Sequence, residues 1–257
     1  MNYWGCDMKW EERKKYYDRD YYDTEIKRPY MDWWWADASV WSPRAKAIYV
    51  ACSPKTLLDC GCAKGSLVKY MVDLYGVDAR GFDLSEYAIT STPYPEISNR
   101  LKVFDCAESD LPYKDKQFDV SVCMDFFEHQ DNEHINHVVS EVERVTRSFI
   151  IIRQPFLAID LNLKRAIGIF EGLKLEERYT ELTHYKRIKL DCDPENIEHP
   201  NTVGKEELIT LFQQFSQHEF MPYFYDVLMG ATYSELTPVF PFYETLIMKR
   251  NPSITPA

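Results

Sequence analysis

The run Leu57-Leu58-Asp59-Cys60-Gly61-Cys62-Ala63-Lys64-Gly65, followed by Leu67, Val68, Tyr70, Met71 and Leu74, constrains the fold more than any other stretch of this chain. An apolar segment that ends in an acid, a loop of small residues, and then apolar positions at helical spacing predict a strand, a tight turn and a helix start. Small residues let the backbone approach a bound nucleoside, and the helix N-terminus after Gly65 offers N–H groups to a carboxylate or phosphate. The small positions fall at 61, 63 and 65, not in the G-x-G-x-x-G order of a dinucleotide fingerprint, so a nicotinamide cofactor is disfavoured. Asp59 would repel a pyrophosphate and suits a ligand with a cationic amino group. Ala63 is compatible with the sharp turn if its φ stays negative.

Two more acids follow at informative spacings. Asp83, in Gly81-Phe82-Asp83-Leu84-Ser85, stands 22 residues beyond Gly61 at the end of a second apolar segment. A carboxylate there can accept both hydroxyls of a ribose. Asp105, in Val103-Phe104-Asp105-Cys106-Ala107, is placed to meet an adenine amine. Leu111-Pro112-Tyr113 then precedes Phe118-Asp119-Val120-Ser121-Val122-Cys123, a β-branched run that reads as a fourth strand and leads into Met124-Asp125-Phe126-Phe127-Glu128-His129.

In this order and spacing, residues 55–155 resemble the class I S-adenosylmethionine-dependent methyltransferases. The likeness is to the small-molecule, type 11-like branch, with D-x-G-C-x-x-G, an acid after the second strand, L-P before the fourth and F-D-V…E-H after it. The resemblance implies an α/β, Rossmann-like, doubly wound sheet of seven strands, mostly parallel with an antiparallel closing strand, plus a helical lid insertion. It implies S-adenosyl-L-methionine as the cofactor, with Asp59, Gly61, Cys62 and Gly65 around its methionine part. Asp83 and Leu84 would hold the ribose and adenine, Asp105 and Cys106 the adenine, and Asp125 and Phe126 would face the sulfonium. Ala63 stands where the family usually has glycine.

The implied activity is methyl transfer to oxygen or nitrogen of a small molecule, with a sugar or secondary-metabolite intermediate as the acceptor suggested by analogy. The alternative is a non-catalytic regulator or partner protein that keeps the fold and binds the same cofactor. A hydroxyl acceptor needs a base within hydrogen-bond reach. His129, just after the fourth strand, is the first candidate, with His184 and His199 as runners-up and Glu128 as a group that orients a neighbour.

With 257 residues, 45% of them apolar and 28% charged, one domain over 1–257 is expected. It divides into an aromatic N-terminal cap (1–55), a cofactor half (56–155), a lid insertion (156–203) and a closing helix and strands (204–257). A net charge of −11 would repel phosphates, which argues against a nucleic-acid substrate. No apolar run reaches the roughly 20 residues that span a bilayer, and the first residues lack the pattern of a signal peptide, so a cytoplasmic location without membrane insertion is expected. Seven scattered cysteines, an odd number, argue for reduced thiols. No metal site is expected, since Cys60 and Cys62 lack a second cysteine pair, and His134 and His137 sit at a polar helix start. The basic run from His184 to Lys189 reads as a solvated charged segment.

All six tryptophans fall within the first 41 residues. They read mainly as a packing face of an N-terminal helix or as a homodimer contact, with one or two rings bordering the pocket; a platform for a ring substrate is the other use. Further expected elements are a helix over about 133–144, a fifth strand over 148–152, helices over 159–175 and 205–215, and closing strands over 220–225 and 244–249.

Overall fold

The computed structural model describes residues 10, 14–23, 38–130, 133–155, 208–211, 220–223 and 243–250. The expected lid with its helix, His184 and His199, the basic run and the Trp33-Trp34-Trp35 triplet lie outside the described residues. In chain order the elements are α1 (Arg19–Asp23), α2 (Ala38–Cys52), β1 (Thr56–Cys60), α3 (Ser66–Tyr75), β2 (Asp78–Asp83), α4 (Glu86–Thr90), β3 (Leu101–Val103), β4 (Phe118–Met124), α5 (Ile135–Val145), β5 (Thr146–Pro155), β6 (Phe220–Tyr223) and β7 (Tyr243–Arg250), with 3₁₀ turns at Pro95–Arg100 and Phe127–His129. Residues 208–211 are helical, inside the helix expected there, and Leu208 is fully buried.

One seven-stranded sheet runs in the order β3-β2-β1-β4-β5-β7-β6. The first five strands pair in parallel, while β7 runs antiparallel to both β5 and β6. The central strands β1 and β4 are buried nearly throughout because a parallel sheet is covered on both faces. Alternate side chains divide between those faces. Leu57, Val120, Val122 and Ile151 pack with Ala45 and Ile48 of α2 and with Leu67, Val68 and Met71 of α3. Leu58, Cys60, Cys123, Ile150 and Ile152 pack on the other face with Ile135, Val138, Val139 and Val142 of α5. The chain winds outward one way from β1 to β3, then returns to begin β4 on the other side of β1. The carboxyl ends of β1 and β4 therefore flank a crevice, the usual ligand position in such sheets.

A charged clamp fixes the segment that enters β4. The Arg144 guanidinium donates to the carbonyls of Leu111 and Tyr113, each at 2.9 Å, and to Glu141 and Asp115. Glu141 in turn accepts the Leu111 N–H at 2.6 Å. The Leu111-Pro112-Tyr113 motif is thus held by α5, and it delivers Phe118 fully buried to the start of β4.

Candidate functional site

The loop after β1 is tied to the end of β2. The N–H groups of Gly61 and Cys62 both donate to the Phe82 carbonyl at 2.9 Å. Gly61 has φ +72, and a Cβ there would stand 2.8 Å from the Phe126 ring. The Cys62 side chain rests on Gly81, where an added Cβ would come within 2.6 Å of Cys62 Cβ. Ala63 departs from expectation: its φ is +49, not negative. That conformation costs an L-residue roughly 1–2 kcal/mol. It persists because it aims the Ala63 N–H at Asp83 Oδ2, 2.8 Å away. Asp83 also accepts the Ser85 N–H at 2.8 Å and the Tyr22 hydroxyl at 3.5 Å.

Nine of the ten residues expected around the cofactor line one cavity of about 940 Å³, counted to its open mouth: Asp59, Gly61, Cys62, Asp83, Leu84, Asp105, Cys106, Asp125 and Phe126. His129 lines it too. The tenth, Gly65, lies off the cavity, its bare Cα turned to Leu101 and Ile97. Burial pushes the Asp59 carboxyl well above the usual carboxylate range, and the charge of Asp83 pushes it further. Burial also raises Asp83, against the lowering effect of the Ser85 and Ala63 N–H bonds and the Tyr22 hydroxyl. Two buried acids at the ends of adjacent strands form a site that a bound cation would complete.

Asp105 is engaged on both oxygens. Oδ1 accepts the Ala107 N–H at 3.0 Å, while Oδ2 accepts Trp10 Nε1 at 3.1 Å and pairs with Lys14 at 2.8 Å. Asp125 sits just past β4 with φ +50; its N–H donates to the Arg153 carbonyl at 2.7 Å, and the Arg153 guanidinium is 3.4 Å from Oδ2. His129 closes the following 3₁₀ turn. Its Nδ1 shares a 3.1 Å hydrogen bond with the Tyr17 hydroxyl, and the two rings meet edge to face at 84°. The remaining described histidines point elsewhere, His134 against Trp10 and His137 toward Asp110 at 3.9 Å.

The N-terminal segment supplies a wall that no sequence motif marks by residue. Trp10, Tyr17, Tyr21, Tyr22 and Trp41 all line the cavity, as do Phe104, Met124 and Gln130. The legible signal was the aromatic bias of the lead-in, and Trp10 and Trp41 are the bordering rings it anticipated. The segment is fastened by side chains on both sides of the crevice. Ser85 Oγ donates to the Tyr17 carbonyl at 2.5 Å, and Asp23 receives both Lys64 and Tyr87.

Residues 58–149 match the family model described as a methyltransferase domain. Over these residues the chain is similar to methyltransferase domains. Over 149 residues it is 30% identical to a glycine/sarcosine/dimethylglycine N-methyltransferase of Actinopolyspora halophila, covering 55% of this chain and 26% of that protein. The chain thus spans about a quarter of that relative's length. The crystal structure of a SAM-dependent methyltransferase from Archaeoglobus fulgidus superposes with a TM-score of 0.52 at 16% identity, over 83% of this chain and 95% of the other. The plantazolicin methyltransferase BpumL, solved with a pentazolic substrate analogue and SAH, gives 0.55 at 14% identity over 83% and 84%. At such identities the likeness establishes the fold alone. No helix among the described residues is long and apolar enough to cross a membrane.

Proposed function

We propose that this protein transfers a methyl group from S-adenosyl-L-methionine to nitrogen or oxygen of a small molecule. The observation that carries the reading is the convergence of Asp59, Asp83 and the His129–Tyr17 pair on one cavity at the switch point of the sheet. The relative from Actinopolyspora halophila, an N-methyltransferase by name, supports a small acceptor.

The residues present fit the cofactor. Asp59, raised by burial and by Asp83, would be restored to its ionised form by the amino group of the methionine part. Asp83 and Leu84 would take the ribose and adenine, Asp105 and Cys106 the adenine, and Asp125 and Phe126 the neighbourhood of the sulfonium. When bound, the cofactor supplies an electrophilic methyl group, so the protein's work is alignment, exclusion of water and removal of one proton. His129 removes it. With its Nδ1–H donated to the Tyr17 oxygen, Nε2 becomes the basic nitrogen, and Tyr17 fixes both tautomer and ring orientation.

Calorimetric titration with S-adenosylmethionine, S-adenosylhomocysteine and NAD tests the reading directly. Micromolar binding of the first two, worth about 8 kcal/mol, is expected. Asp83→Asn should remove it. His129→Gln should leave it intact while turnover falls roughly 10²- to 10⁴-fold, and Tyr17→Phe should move the acidic limb of the pH–rate profile. Binding of NAD alone overturns the reading. Cofactor binding without turnover, across a broad set of acceptors, is the behaviour of the non-catalytic regulator.

A further inference from the structure

The His129 ring is held by Tyr17, a residue 112 positions earlier in the chain that lies just before the short helix α1. Asp18 holds the start of that helix. Its carboxylate accepts the N–H groups of Asp20 at 2.9 Å and Tyr21 at 3.2 Å, and its carbonyl accepts the Tyr22 N–H at 3.2 Å. The Tyr17 carbonyl stands outside these bonds and is met from the loop after β2, where Ser85 Oγ donates to it at 2.5 Å.

Ser85 is itself fixed at main chain and side chain alike, and it is buried. Its hydroxyl has one proton, given to Tyr17, and a lone pair that accepts the Ala88 N–H at 3.0 Å, which makes it the N-cap of α4. Its own N–H goes to Asp83 Oδ1 at 2.8 Å. Ala88 packs with Tyr21 and Tyr22 in a small cluster that Tyr16 and Tyr17 join. The Tyr17 and Tyr21 rings meet edge to face with centroids 5.0 Å apart. Such ring pairs are favourable over centroid distances of about 4.5–7 Å and so tolerate sliding. A hydrogen bond from a fixed hydroxyl to the backbone is directional, and it decides where the Tyr17 side chain comes to rest.

We infer that Ser85 is a positioning residue for the base. Its hydroxyl sets the Tyr17 backbone at the place from which the phenol oxygen, 3.1 Å from His129 Nδ1, holds the imidazole in the tautomer that leaves Nε2 to accept a proton. This role rests on the methyl-transfer reading and extends its machinery to a residue that does not line the cavity. No proton passes through Ser85, which acts on His129 only by way of Tyr17. Without Oγ the Tyr17 carbonyl loses this donor, the segment settles differently, and Nδ1 loses the fixed partner that selects its tautomer.

Nitrogen NMR tests this on the imidazole itself, with no acceptor required. The full chain is saturated with S-adenosylhomocysteine, whose binding is measured first, and spectra are taken at about pH 8.5, well above the ordinary imidazole value of about 6.5. His129→Gln identifies the His129 signals, which should show the proton on Nδ1. Ser85→Gly removes Oγ while glycine still serves as an N-cap residue. It should lower the ratio of Nδ1–H to Nε2–H roughly fivefold, the worth of one hydrogen bond. Ser85→Thr, which keeps the hydroxyl, should retain the wild-type ratio. Tyr17→Phe should lower it as well, and adding Ser85→Gly to that variant should change nothing more, because both act on one bond. S-adenosylhomocysteine affinity should be the same in wild type and Ser85→Gly. A wild-type ratio in Ser85→Gly overturns the positioning role and leaves the base in place, with the rings alone holding Tyr17. Loss of S-adenosylhomocysteine affinity in Ser85→Gly overturns it too, since Ser85 would then shape the ribose site. A wild-type His129 protonated on Nε2 overturns the base assignment and the role of Ser85 together. Failure of S-adenosylhomocysteine to bind the wild-type chain overturns the methyl-transfer reading on which both rest.

Discussion

Burial lifts the Asp59 carboxyl well above the ordinary carboxylate range, and the charge of Asp83 lifts it further. A raised native value means that the folded chain binds more protons than the unfolded chain across the interval from the ordinary value, about 3.9, up to the raised one. Stability contributed by this group is therefore lost as pH rises through that interval. Asp59→Asn should raise the melting temperature by a few degrees at neutral pH, and the difference should vanish below about pH 4. The same variant should weaken binding of S-adenosylhomocysteine at least tenfold, on the order of 1.4 kcal/mol. Calorimetric melts at several pH values and one titration check both. Ala63 shows the same tension in the backbone, since its left-handed turn is strained in an L-residue and yet directs an N–H to Asp83.

At the scale of elements, the clamp between α5 and the strand entry is the most testable unit. Burial alone would raise Glu141, but its hydrogen bonds from Arg144 and the Leu111 N–H hold it below the usual range. A lowered native value gives stability that is fully present above the ordinary carboxylate range and is lost as pH falls through the lowered one. Arg144→Gln should cost about 2–3 kcal/mol in urea unfolding at neutral pH, because Glu141 keeps its buried charge and loses its partner. That cost should shrink in acid as Glu141 becomes protonated in both proteins. An unchanged midpoint at pH 7 would show that the loop before β4 is held by apolar contacts alone.

Across the whole molecule, the described sheet and helices form the core, and residues 10 and 14–23 close one side of the cavity. Lys14 reaches Asp105 and Glu108 at 2.8 Å, Tyr17 reaches His129, and Asp23 meets Lys64 and Tyr87. These contacts are mostly polar and lie outside the two main apolar clusters. Segments fastened this way open at lower free energy than the core. Removing residues 1–23 should leave cooperative unfolding in place while S-adenosylhomocysteine affinity falls roughly tenfold or more. Amide exchange should show residues 14–23 less protected than β1 and β4 in the free protein.

Much of this was legible in the chain before any tertiary contact was known. Leu57 to Gly65 marks a strand, turn and helix because apolar periodicity and small residues are local properties, and the spacing to Asp83, Asp105 and Asp125 follows the repeat of strand and crossover. Periodicity also located β4 and α5, but it set β5 too short, because pairing with β7 extends that strand to Pro155. Two matters were decided only by tertiary structure. Gly65 reads like its neighbours in the loop, yet Gly61, Cys62 and Ala63 line the cavity while Gly65, at the N-cap of α3, faces Leu101 and Ile97. Tyr17, Tyr21, Tyr22 and Gln130 carry no motif at all. The tyrosines join the site because the N-terminal segment folds across the carboxyl ends of β1 and β4, while Gln130 is brought there by the 3₁₀ turn that follows β4; the first is a long-range placement set by where side chains find partners, which no local pattern in the sequence encodes.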